Sequence, residues 1–91
     1  MVKPLINGFQ SFRNKAIKVL EQSIIIYPKD PDSYTNLSNI YKLSGDLKSA
    51  EIFIKKAYEL NPKSSIILNN LSSILIEKKQ FIEAENLALL S

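Results

Sequence analysis

The sequence of 91 residues contains no cysteine and no histidine. Without cysteine the chain has no disulfide, no thiolate nucleophile and no zinc-thiolate site, and without histidine it has no imidazole for metal binding or general base catalysis. These absences close off much catalytic chemistry. We therefore expect a protein that is not an enzyme and that has no catalytic residues, no metal site and no cofactor.

Long apolar runs are also missing from the sequence. The longest extend over three or four residues, such as residues 24–27, whereas a transmembrane helix needs ~20. The first nine residues, MVKPLINGF, carry one lysine and no sustained apolar segment, so they do not resemble a secretory signal. By default we expect a cytoplasmic protein without a membrane partner.

Charge of either sign is not concentrated enough to suggest a nucleic-acid partner. Residues 1–30 carry five Lys or Arg against two acidic residues, and residues 31–91 carry seven of each. This bias is mild, and the lysines are not interleaved with aromatic residues that we expect to be exposed. We therefore predict no nucleic acid among the partners.

What the chain does have is a regular spacing of apolar residues between positions 34 and 62. A domain of this length has a marginal core unless its architecture is very regular. Two sets recur three and four positions apart, as on one face of an α-helix. The first set is Tyr34, Leu37, Ile40 and Tyr41, and the second is Leu47, Ala50, Phe53, Ile54, Ala57, Tyr58 and Leu60. The spacing predicts two helices, and we expect their aromatic residues to lie in the core.

The breaks between these sets predict where the helices begin and end. Gly45 suits the left-handed turn that ends a helix, and Asp46 can cap the next one. Upstream, Asp30 reads as an N-cap with proline at the first helical position, and downstream Pro62 ends the second helix. Because the link at residues 45–46 is short, the two helices are expected to be antiparallel neighbours.

The helix pair recurs along the chain with a period of 34 residues. Over 27 aligned positions, six residues meet identical partners 34 positions later: Asn36, Leu37, Ser38, Ile40, Ala50 and Glu51. In the other direction, Ala16 aligns with Ala50 and Leu20 with Ile54. The sequence therefore predicts a repeat protein.

At these positions the sequence resembles the tetratricopeptide repeat family, whose unit is a 34-residue helix-turn-helix. The middle unit carries the resemblance through Tyr34, Leu37, Ser38, Tyr41, Gly45, Leu47, Ala50, Ile54, Ala57, Leu60 and Pro62. Flanking positions support it: Ala16, Leu20, Ile26 and Pro28 before this unit, and Leu68, Leu71, Ser72, Leu75, Phe81 and Ala84 after it. A departure is Lys79, which stands where a turn glycine is usual.

The resemblance implies an all-α fold in which helix-turn-helix repeats stack as a right-handed α-solenoid. We expect about two and a half tetratricopeptide-like units and about five helices. The predicted boundaries are a non-repeat leader at 1–11, a half repeat consisting of a second helix at 12–30, a complete repeat at 31–64 and an incomplete repeat at 65–91.

The resemblance also implies a function, the binding of a peptide or protein segment in the concave groove lined by the first helix of each pair. The expected contact residues are Thr35, Asn36, Asn39, Asn69, Asn70 and Ser73. Asparagine offers donors and acceptors to a peptide backbone. A solvated face or a hydrogen bond between helices remains the alternative reading of these asparagines. A clamp for a C-terminal carboxylate is not expected, because the lysine and arginine positions of that site are not matched.

Two further expectations concern the whole chain. The alternative to a non-catalytic interaction module is the repeat portion of a larger enzyme, such as a glycosyltransferase, in which the repeats position substrates. The terminal segment FIEAENLALLS lacks a polar cap, and at the other end Phe9, Phe12 and Ile17 lack a complete leading helix to cover them. We expect these uncapped ends to allow self-association.

Overall fold

The computed structural model describes residues 8–90, in which four helices follow one another. They are α1 at Gly8–Ile26, α2 at Pro31–Leu43, α3 at Leu47–Leu60 and α4 at Ser65–Leu90. No strand occurs in this range, and α2 packs mainly on α3, with α1 and α4 on either side. The predicted all-α fold of stacked helix pairs is confirmed. Residues 1–7 of the predicted leader, the side chain of Phe9 and residue 91 lie outside the described part.

The helix boundaries follow from the predicted caps. The Asp30 carboxylate accepts a hydrogen bond from the Asp32 amide at 3.0 Å, with Pro31 at the first helical position of α2. The Asp46 carboxylate does the same for the Ser49 amide at 3.1 Å. Between them, Gly45 has φ +85°, the left-handed conformation that glycine adopts without a steric cost. A short turn therefore joins α2 to the antiparallel α3.

The core lies where α2, α3 and α4 meet. Seven apolar side chains are buried there: Tyr34, Leu37, Ala50, Ile54, Ala57, Ile67 and Ile74. Small residues let α2 and α3 approach closely, because Ala50 and Ser38 are both completely buried. The Tyr41 and Phe53 rings stack with their centroids 5.6 Å apart. Tyr58 was expected in the core, but it is 37% exposed.

The predicted fifth helix is wrong, because α4 runs without a break from Ser65 to Leu90. We expected a turn near Lys79, where repeats of this kind usually have glycine. The stretch from residue 74 to 85 contains no glycine, proline or serine, and most of its residues favour the helix. Nothing in it stops the helix, so α4 continues past Lys79 without a break, and its side chains from residue 79 to 89 are exposed.

The first helix begins at Gly8, four residues before the predicted half repeat at 12–30. The predicted boundaries of the repeat units remain predictions. Within residues 8–90, no helix is both long enough and apolar enough to cross a membrane. The predicted cytoplasmic location also remains a prediction.

Candidate functional site

An open groove runs between α1 and α2. Its volume is about 600 Å³, and it is lined by Phe12, Lys15, Ala16, Val19, Leu20, Asn36, Asn39 and Ile40. The α1 side is mainly apolar, and α2 contributes two amides and one apolar side chain. We call this feature the α1/α2 groove.

The apolar side of the α1/α2 groove is accessible to solvent. Phe12 is 69% exposed and Val19 is 65% exposed, while Ala16, Leu20 and Ile40 are half-buried. Covering a solvent-exposed apolar surface of this kind with a ligand is favourable, by roughly 25 cal/mol for each Å² removed from water. Contiguous exposed apolar surface is typical of interaction sites.

Asn36 and Asn39 lie about one helical turn apart on α2 and both line the groove. Asn36 is exposed and Asn39 is half-buried. Each amide can donate and accept, so the pair can satisfy the N–H and C=O groups of a bound peptide backbone. The structure therefore brings together two of the six predicted contact residues beside an apolar surface.

The other predicted contact residues lie elsewhere. Thr35 is buried, and its hydroxyl donates to the Pro31 carbonyl oxygen at 2.9 Å, so it does not face the groove as an open contact. Ser73 on α4 accepts a hydrogen bond from Lys42 Nζ at 2.6 Å. Asn69 is exposed and Asn70 is half-buried, both on α4. None of these four side chains belongs to the described lining of the α1/α2 groove.

The α1 side of the groove was not among the predicted contact residues, although Phe12 was expected to lack a covering helix. Ala16 and Leu20 were assigned to packing positions because Ala50 and Ile54 follow them 34 residues later. That assignment is correct for a repeat that is covered on both sides. In α1 the same positions remain half-exposed, since no described helix packs on that side of α1 and α2. The signal was the lack of a complete leading helix over Phe12 and Ile17, which was interpreted as a cause of self-association and not as a groove.

Charged side chains outside the groove connect the helices. Lys78 Nζ on α4 donates to Glu51 Oε2 on α3 at 3.0 Å, and this hydrogen bond lowers the pKa of Glu51. The hydrogen bonds from Ser49 lower the pKa of Asp46 at the start of α3. Lys42 lies 3.8 Å from Glu77 across α2 and α4. The Lys78–Glu51 and Lys42–Glu77 pairs connect α4 to the central helix pair, whereas the Asp46–Ser49 pair caps α3.

A second, smaller cleft lies beside the turn between α2 and α3. Its volume is about 370 Å³, and its lining comes from residues 45–48 together with Lys78, Phe81, Ile82 and Glu85 of α4. Across residues 8–90 there is no cluster of three acidic side chains that could hold a metal ion.

Comparison with known proteins identifies a similar family and a similar protein. The family profile described as "Tetratricopeptide repeat" matches residues 31–64, the helix pair of α2 and α3. A protein from Pyropia yezoensis, described as "Uncharacterized protein ycf37", is 31% identical over 86 residues, or 93% of this chain. Those residues are 46% of the relative, so the chain spans about half the length of the curated relative that it matches.

Proposed function

The chain belongs to the tetratricopeptide repeat family, and on this premise we propose that it is a non-catalytic module that binds a peptide or protein segment in the α1/α2 groove. Repeats of this family generally mediate protein-protein interaction. The observation that carries the proposal is the position of Asn36 and Asn39 beside the exposed side chains of Phe12 and Val19. An apolar surface with a few convergent polar groups is the usual chemistry of a binding site.

Each part of the groove has a distinct role in this proposal. The exposed apolar side chains of α1 supply affinity by leaving water, and the amides of Asn36 and Asn39 fix the backbone of the ligand. Lys15 lines the same groove and favours a ligand with acidic side chains. The preferred ligand is therefore an apolar segment that also carries negative charge.

The α4 residues extend this surface in a longer ligand. Asn69 and Asn70 lie one repeat beyond Thr35 and Asn36, on the helix that follows the central pair. Asn69 is exposed and available for contact. Thr35 and Ser73 have supporting roles, because their hydroxyls are engaged with Pro31 and with Lys42.

The alternative function, the repeat portion of a larger enzyme, has no support in the family match or in the relative's name. A cytoplasmic setting is part of the proposal. The partner follows from the groove chemistry, which calls for a protein segment.

A library of displayed random peptides tests the proposal. Peptides selected on the wild-type chain are titrated against the wild type and against the Asn36→Ala/Asn39→Ala variant. The two lost amides should weaken binding by roughly 1 to 3 kcal/mol, at ~0.5 to 1.5 kcal/mol for each net hydrogen bond. Helical circular dichroism should stay unchanged, since neither side chain is fully buried.

Asn14→Ala is the matched control, because Asn14 is an exposed asparagine of α1 that does not line the groove. It should bind the selected peptides like the wild type. If the double variant also binds them with wild-type affinity, or if no peptide can be selected, the groove is not the binding site.

A further inference from the structure

The structure contains a second version of the α1/α2 groove, one repeat further along the chain. Shifted by 34 residues, α1 aligns with α3 and α2 aligns with α4. The half-exposed groove residues Ala16, Leu20 and Ile40 thereby match Ala50, Ile54 and Ile74, each of which is completely buried. The same kind of surface is therefore covered in one repeat and open in the other.

The second groove lies between α3 and α4, and helix α2 covers it. Ser38 Oγ donates to the Ala50 carbonyl oxygen at 2.8 Å, and the Tyr41 ring stacks on Phe53. Lys42 Nζ donates to Ser73 Oγ.

The residues that α2 contacts match residues that line the open groove. Phe53 corresponds to Val19, and Ser73 corresponds to Asn39. By this internal comparison the α1/α2 groove has the shape and chemistry to seat an α-helix.

The outer part of α4 is a helix with the required apolar character. We call residues 80–90 the α4 tip. Each of its side chains from residue 80 to 89 is exposed, and the large apolar ones include Phe81 at 67%, Leu87 at 68% and Leu89 at 80%. Ala84 and Ala88 lie one turn apart among them, and such small residues allow close approach of another helix.

The charges of the α4 tip and of α1 are complementary. The tip carries Glu83 and Glu85 and no basic residue. Helix α1 carries Arg13, Lys15 and Lys18 against a single acid, Glu21, and Lys15 lines the groove itself. Opposite potentials favour the encounter and fix its orientation.

We propose that the α4 tip of one copy occupies the α1/α2 groove of a second copy, so that the repeat stack continues from chain to chain. This inference rests on the proposed function in one respect, because it names a partner for the same groove. The amides of Asn36 and Asn39 would then contact side chains of the tip, because its backbone groups are paired within the helix. The contact joins two different surfaces, so it is heterologous and leaves a free groove at one end and a free tip at the other. The assembly grows with concentration or closes into a ring.

Sedimentation velocity on the full chain tests the proposal with two variants at exposed positions. Val19→Asp places a charge in the groove, and Leu87→Asp places one on the tip. We expect the wild type to associate across a concentration range of about 1 to 100 µM. Each variant alone should associate at least about tenfold more weakly, the usual effect of disrupting a central apolar contact.

Mixing the two variants identifies the occupant. Val19→Asp keeps an intact tip, and Leu87→Asp keeps an intact groove, so an equimolar mixture should form a heterodimer that cannot extend. Ile52→Asp is the control, because Ile52 is a 59% exposed apolar residue of α3 outside both surfaces. It should associate like the wild type. Circular dichroism checks that each variant remains helical.

A charge exchange tests the electrostatic part. Lys15→Glu and Glu85→Lys should each weaken association, and the double variant should recover part of it, because the groove and the tip then again carry opposite charges at these two positions.

Three results overturn the proposal. They are a wild type that stays monomeric throughout, a Val19→Asp variant that still associates through its tip, and a mixture that does not form the heterodimer. Failure here is distinguishable from failure of the proposed function. Leu87→Asp has an intact groove, so peptides selected on the wild type should bind it whether or not the chain self-associates.

Discussion

Ser38 Oγ donates a hydrogen bond to the Ala50 carbonyl oxygen at 2.8 Å, and both residues are completely buried. The bond crosses from α2 to α3 inside the core, where a larger residue on either side would separate the helices. A buried hydroxyl needs such a partner, since leaving it unpaired costs free energy. The relationship explains why a serine is stable at the centre of an apolar contact.

Removing this hydroxyl should lower stability by a modest amount. We expect Ser38→Ala to reduce the free energy of unfolding by about 1 kcal/mol, the net value of one buried hydrogen bond. Ser72→Ala is the matched control, because Ser72 stands one repeat later and is exposed. In thermal unfolding followed by circular dichroism, the Ser72→Ala variant should have the same midpoint as the wild type within error. Equal shifts for the two variants would contradict this role of Ser38.

A larger side chain at Ala50 should be more damaging. Ala50 is completely buried between α2 and α3, so Ala50→Leu should cost roughly 1 to 3 kcal/mol through overpacking. The control is Ala84→Leu, the same change one repeat later at an exposed position. Chemical denaturation at one low protein concentration measures both variants. If Ala50→Leu keeps the wild-type midpoint, the contact at Ala50 is not tight.

The turn between α2 and α3 should tolerate only some residues at Gly45. Its φ of +85° disfavours any side chain, although an added Cβ would meet no atom within 4 Å. Gly45→Ala should therefore destabilise by about 1 kcal/mol through backbone strain alone. Gly45→Asn should cost less, because asparagine visits the left-handed region more readily. Urea denaturation of both variants checks the order, and an equal or larger loss for asparagine would contradict it.

The sequence predicted the middle repeat well because local and tertiary signals agree there. The caps at Asp30 and Asp46, the turn at Gly45 and the burial of Leu37 and Ile54 are all found as predicted. The caps and the turn depend on residues that are close in sequence. The buried residues lie on the faces that α2 and α3 pack against each other. Such positions can be inferred from spacing and residue type.

The first and last helices were harder to predict, because their structure depends on helix-breaking residues and on covering helices. The spacing of apolar residues reveals neither. Lys79 stands at a turn position of the repeat, but turning there requires a residue that breaks the helix, and none is present. The openness of the α1/α2 groove depends on whether another helix covers Ala16 and Leu20. Periodicity assigned Tyr58 to the core, yet its side chain is 37% exposed.

The ion pair between Glu51 and Lys78 should make stability depend on pH. The hydrogen bond from Lys78 lowers the pKa of Glu51 below its ordinary value of 4.5. A carboxyl group with a lowered folded-state pKa stabilises the fold above its unfolded pKa, and this contribution disappears as the pH falls through the folded-state value. We therefore expect a loss of stability on acidification below about pH 4.5.

The variant Glu51→Gln isolates this contribution. It should be less stable than the wild type near neutral pH by less than about 1 kcal/mol, because Lys78 is partly exposed and solvent weakens the pair. On acidification the difference between the two proteins should narrow. Asp46 contributes in the same direction in both, since the backbone hydrogen bond from Ser49 lowers its pKa. A difference that is constant from pH 7 to pH 3 would contradict the assignment to Glu51.

The two halves of α4 should differ in local stability. The inner half places Ile67 and Ile74 in the core, whereas the side chains of residues 79–89 are exposed. Helical hydrogen bonds with little tertiary packing around them open readily, so amides of the outer half should exchange with deuterium much faster than those of the inner half. Hydrogen exchange measured by nuclear magnetic resonance on the Leu87→Asp variant shows this without interference from self-association.

The wild type at high concentration is the comparison, because a seated α4 tip would slow exchange in the outer half alone. Uniform protection along α4 in the variant would mean that the outer half is packed, which contradicts the exposure of the tip.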